Sequence, residues 1–85
     1  MTKLHRVLKR HGVTTISLVR LTKTVDPDGK GYSRTYIYGL RRGEVENPTR
    51  QCMAIVLAAT RQITGVRSIQ LSDLFDLEER VRKAS

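Results

Sequence analysis

Apolar residues recur along this chain at the spacing of three and four that marks one face of a helix. Leu4, Val7 and Leu8, followed by His11, form the first such stripe, with basic residues between them. Gly12 stops it, so a first helix is expected from about Thr2 to His11. Thr14 can cap a second helix, whose stripe is Leu18, Leu21 and Val25. Asp26-Pro27-Asp28-Gly29-Lys30-Gly31 is dense in turn residues and reads as a loop. Ser33 can cap a third helix from about Arg34 to Arg42, with Ile37 and Leu40 inward and Gly43 as its stop. Asn47 is expected to cap a fourth helix with Pro48 at its start and a body over residues 49–64. Cys52, Ile55, Val56, Ala59 and Ile63 form its apolar face, and Gly65 closes it.

Gln70 or Ser72 can open a last short element carrying Leu71, Leu74 and Phe75. Residues 66–71 could be extended but are too few for a sheet. The reading is all-α: a small bundle of about five short helices. Residues 1–75 form the domain, and residues 76–85 (DLEERVRKAS) form a charged C-terminal extension or tail.

Charge changes the picture. Net charge is +8 over 85 residues, and no acid precedes Asp26. Lys3, Arg6, Lys9, Arg10, Arg20 and Lys23 all fall in that acid-free stretch. A polyanion is the expected partner. A chain this size buries only about 60–65% of its unfolded surface, which argues against a large active-site cleft. One cysteine, Cys52, excludes an intrachain disulfide and a thiolate zinc site, and fits a reducing cytoplasm. No apolar run approaches a membrane span, and no secretory signal follows the basic start.

Catalytic chemistry has no support. His5 and His11 do not share a helix face well and lack a companion carboxylate, so no metal is expected. Asp26, Asp28 and Gly29 lack the later carboxylates of a calcium loop. No Gly-rich phosphate loop occurs, and neither a cofactor nor a small-molecule substrate is evident.

Recognition chemistry is concentrated in residues 32–48, YSRTYIYGLRRGEVENP. With Ile37 and Leu40 inward, Arg34, Thr35, Tyr38, Arg41 and Arg42 turn outward. The arginine fork matches two guanine acceptors, and the threonine methyl can pack on a thymine methyl. Arg34, Thr35 and Tyr38 are therefore the expected base readers. Thr15, Lys23, Lys30, Ser33, Tyr36, Arg41 and Arg42 are the expected phosphate contacts. Thr15 opens the second helix, whose dipole already favours an anion.

The order of elements resembles the Cro/C1-type (xenobiotic-response-element-like, XRE) helix-turn-helix family, whose fold is lambda-repressor-like. Residues 33–48 are similar to its recognition helix, Gly turn and Asn-Pro start of helix four. Residues 12–15, Leu18 and Val19 resemble its entry into helix two, and LSDLF (71–75) its final short helix. The resemblance implies a cytoplasmic, nucleoid-associated homodimer. It also implies sequence-specific binding to double-stranded DNA, as a transcriptional regulator or repressor of phage, plasmid or mobile-element type.

Departures from that pattern are the longer loop 26–31 and Gly39 inside the recognition helix. In addition, Leu8 and Arg41 stand where the family often pairs an arginine with a glutamate, which would leave Arg41 free for phosphate. Gly39 could permit close approach to DNA or mark a flexible helix. The dimer surface is expected at Leu74, Phe75, Leu77 and Val81. An alternative function is a protein-interaction module, such as an antitoxin that neutralises a partner protein.

Overall fold

A computed structural model describes residues 2–45 and 48–75. Five helices follow in order: α1 (Lys3–Arg10), α2 (Thr15–Val25), α3 (Arg34–Arg42), α4 (Arg50–Thr64) and α5 (Leu71–Leu74). No strand occurs among the described residues. Residues 66–70 form no strand and lead into α5, capped by Gln70, with the Ile69 carbonyl accepting from Arg61 Nε at 2.7 Å.

Each of the first four helices starts on a hydroxyl that satisfies a free backbone donor. Thr2, Thr14, Ser33 and Thr49 accept from the N–H groups of His5, Ser17, Tyr36 and Cys52 at 3.0–3.2 Å. The α4 cap corrects the expectation from sequence. Thr49 holds that position, one residue after the buried Pro48, while Asn47 lies outside the described residues. At the other end of α3, Gly43 takes a left-handed φ of +82°, and the Glu44 N–H reaches back to the Gly39 carbonyl at 2.8 Å. This closed turn satisfies carbonyls that would otherwise be orphaned.

The core joins all five elements through Leu4, Leu8, Leu18, Ile37, Leu40, Cys52, Val56, Ala59 and Leu74, with Val13 and Ile69 from the connections. α2 packs on α4 as the largest helix pair, and α1 bridges α3 and α5. Burying each Leu or Ile contributes about 1.5–3 kcal/mol relative to exposure. Leu74 is buried here, so it belongs to this core and not to a dimer surface as expected. Leu77 and Val81 lie outside the described residues.

Three threonines enter the interior with their hydroxyls satisfied. Thr22 donates to the Val19 carbonyl at 2.6 Å and accepts from the Tyr32 N–H at 3.2 Å. Thr60 donates to the Val56 carbonyl at 2.7 Å. Thr15 accepts from Arg41. The Thr22 bond is structural information of another kind: it ties the exit of the 26–31 loop to α2.

That loop is organised by one carboxylate. Asp26 accepts from the N–H of Asp28 at 3.0 Å and of Gly31 at 2.9 Å. These bonds hold its acid below the ordinary 3.8, with Lys30 adding to the shift. Gly31, at φ +61°, passes so close to α2 that a Cβ there would stand 2.6 Å from Lys23 Cγ and 2.7 Å from Lys23 N. The extra length over a tight turn is thus folded against α2, and α3 leaves it in a fixed direction.

Candidate nucleic-acid interface

Ile37 and Leu40 are buried, at 0% and 4% exposure, so the opposite side of α3 faces solvent. Arg34, Thr35, Tyr38 and Arg42 all lie on that exposed side. α3 spans roughly 13 Å, from nine residues at about 1.5 Å each. Arg34 occupies its N-terminal turn and Arg42 its last, so the two cations bracket the helix.

Arg41 has a different environment from the one expected. It is half-buried, and its guanidinium is already engaged. Nε donates to His5 Nδ1 at 3.1 Å, and Nη1 donates to Thr15 Oγ1 at 3.0 Å. The Thr2 hydroxyl donates to the Arg41 carbonyl at 2.9 Å. One residue of α3 is thereby bound to α1, to α2 and to the α1 cap. Arg41 is not free, as the missing ion pair suggested. It is a tether whose remaining N–H donors point from a held position.

Thr15 is corrected with it. Its side chain is 5% exposed, and its hydroxyl oxygen serves Arg41. It orients the arginine instead of meeting a phosphate itself. Tyr36 is corrected too. It is half-buried, and its ring stacks on Tyr32 with centroids 5.2 Å apart and planes at 22°. Burial, then the neighbouring Cys52 thiol, pushes the Tyr36 hydroxyl up to about 12. The Tyr32 hydroxyl is likewise pushed up to about 12, by burial first and Cys52 next. Tyr36 therefore packs over Cys52, with its hydroxyl engaged by the thiol and not presented on the outward face of α3. Ser33 is exposed, but its oxygen is the α3 cap.

Gly39 is buried and faces the connection to α4. A Cβ there would meet Val45 Cγ2 at 3.2 Å. The absent side chain makes room for Val45 and leaves the outward face of α3 unaffected.

Beside the tether, an open cleft of about 500 Å³ separates the end of α1, the start of α2 and α3. Lys9, Arg41 and Arg42 supply its charge, Tyr38 an aromatic wall and Thr14 an exposed hydroxyl. His5 and Lys9, four residues apart on α1, share this side. Leu4 and Leu8 go to the core. That i, i+4 pairing beside the apolar i, i+4 pairing of Leu4 and Leu8 is the sequence signal for His5, which a reading as metal ligand alone does not use. Partial burial, then Arg41 and Lys9, hold the His5 imidazole below its ordinary 6.5, which keeps Nδ1 an acceptor.

Lys23 and Lys30 are exposed but lie elsewhere. Lys23 is eight residues, or about 12 Å, along α2 from Thr15, next to the loop that feeds Arg34. The expected residues thus divide into a cleft group at Arg41 and Arg42 and a loop group at Lys23, Lys30 and Arg34. Arg42 stands 6.0 Å from the Tyr38 ring and 4.0 Å from Glu44 Oε1. Both charges of that pair are about two-thirds exposed, so it holds Arg42 only weakly.

Ile16 and Tyr38 are the large hydrophobics most exposed among the described residues, at 49% and 48%. Ile16 falls off the Leu18, Leu21 and Val25 stripe, which leaves it on the outward side of α2.

No helix among the described residues is long and apolar enough to cross a membrane. No family model matches the sequence, and no curated protein or solved structure is significantly similar to it.

Proposed function

We propose that this chain is a sequence-specific double-stranded DNA-binding regulator of the helix-turn-helix kind, acting in the cytoplasm as a repressor. The observation that carries the reading is an exposed Arg34-Thr35-Tyr38 face on a helix whose other side is fixed by Ile37, Leu40 and the Arg41 tether. A B-DNA major groove about 12 Å wide accepts such a helix.

In this reading α3 enters the groove by its N-terminal turn. Arg34 donates to guanine O6 and N7, and Thr35 packs its methyl on thymine. Tyr38 offers a hydroxyl and a ring edge one turn later. Phosphates on one side meet Lys9, Arg42 and the outer donors of Arg41. On the other side they meet Lys23 and Lys30. Each neutralised phosphate adds about 0.9 to the steepness of the salt dependence. Tethering Arg41 and packing the loop on α2 reduce the ordering that binding would otherwise require. Two copies reading two half-sites, one helical turn apart, complete the proposal.

Selection of bound duplexes from a randomised pool tests it. Recovery of a motif with inverted symmetry is expected. Uniform recovery of all sequences would remove the base-reading role of α3.

A further inference from the structure

A second groove, of about 390 Å³, lies on the other side of α1, against the connection to α5. Its floor is apolar, made by Val7, Val66 and Ile69, and its rim carries Arg6, Arg10 and His11. Ile69 is 7% exposed, while both arginines are exposed. Neither arginine lies within ion-pair distance of a carboxylate among the described residues. The one acid of the lining, Asp73, accepts with Oδ2 from the Gln70 N–H at 2.8 Å.

We propose that this groove binds a short peptide segment of a partner protein, one that presents carboxylates around at least one large apolar side chain. Charge complementarity selects the sign: among the described residues Lys3, Arg6 and Arg10 outnumber the single carboxylate Asp73 along this groove, a balance that attracts an acidic segment and speeds encounter. The floor selects the class. Apolar surface at the base of a concave groove is stabilised by an apolar anchor, which a duplex backbone does not offer.

Helical geometry separates the two surfaces. His5 and Lys9 face the α3 cleft. Arg6 and Arg10, one residue further on, are turned about 100° around α1. The peptide groove therefore remains open when the α3 face is occupied, and it stands whether or not that face reads DNA.

The test is selection of short random peptides on the full chain, followed by titration of the recovered peptides. The expected consensus is Asp or Glu flanking Leu, Ile or Phe, with binding that weakens as salt is raised. The double variant Arg6→Glu/Arg10→Glu should bind these peptides about ten-fold more weakly or worse, and Arg6→Lys/Arg10→Lys should retain most of the affinity. Val66→Ser should weaken binding without altering its salt dependence. Amide NMR shifts should cluster at residues 6–11 and 66–69. Absence of a consensus, equal binding by the charge-reversed variant, or shifts centred on α3 would overturn the proposal. Displacement of the peptide by duplex DNA would do so as well.

Discussion

Arg41 Nε donates to His5 Nδ1 at 3.1 Å, so the last turn of α3 is fastened to α1 by a bond between a permanent cation and a neutral imidazole. With Thr15 as the second acceptor, this arrangement sets the angle of α3 against both α1 and α2. Arg41→Ala should lower stability by about 1–2 kcal/mol, because His5 Nδ1 and the buried Thr15 hydroxyl lose their charged donor. Arg41→Lys should recover little of it, since an ammonium cannot reproduce the two-directional fork. A shift of the urea midpoint at constant slope checks both.

The same bond gives a pH dependence with a definite sign. The folded state holds His5 below its ordinary 6.5, chiefly through partial burial, so the unfolded chain binds the proton more readily. The contribution is fully present above the unfolded value and is lost as pH falls through it toward the folded value. Wild type should therefore lose stability relative to His5→Gln on moving from pH 7.5 to about 5. Parallel curves for the two proteins would show that His5 is not coupled to folding. Asp26 is also held low, by the N–H bonds of Asp28 and Gly31. Its contribution is lost only further down, as pH falls through its folded value.

Two glycines of one loop should behave differently. Gly29 and Gly31 both have left-handed φ, at +70° and +61°, but only Gly31 is pressed against Lys23. Gly29→Ala should cost about 1 kcal/mol from backbone strain alone. Gly31→Ala should cost more, about 2–4 kcal/mol, because the loop must lift from α2 as well. Thermal melts of the two variants compare them directly.

Tyr36 and Tyr38 should separate stability from binding. Tyr38→Ala removes a half-exposed ring from the outward face and should weaken DNA binding while leaving the melting temperature within a few degrees. Tyr36→Ala should destabilise the fold by about 2–4 kcal/mol through the lost stacking on Tyr32 and the cavity over Cys52. Tyr36→Phe keeps the ring and should bind DNA as wild type does, since its hydroxyl faces Cys52. Weaker DNA binding by Tyr36→Phe would return that hydroxyl to the interface.

Local chemistry was legible in the sequence, and distant contacts were not. Ser33 and Thr14 announce α3 and α2 because a cap acts on an N–H only three residues away. Ile37 and Leu40 announce the buried side of α3 because helical spacing alone decides it. The roles of Arg41 and Thr15 depend on partners 36 and 26 residues apart, which no local pattern encodes. Tyr36 was misplaced for a related reason: outward and inward tyrosines look alike until Tyr32 and Cys52 are brought beside one of them. Loop 26–31 is an intermediate case. Its turn residues were evident, but its packing on Lys23 follows from the close approach that only Gly31 permits.

The central claim is that α3 reads base pairs with Arg34. A double-mutant cycle measures it directly, pairing Arg34→Ala with each single base-pair change in the selected DNA site. A coupling of about 1–3 kcal/mol at one G·C pair, with near-additivity elsewhere, is expected. Additivity of Arg34→Ala with every base change would contradict it.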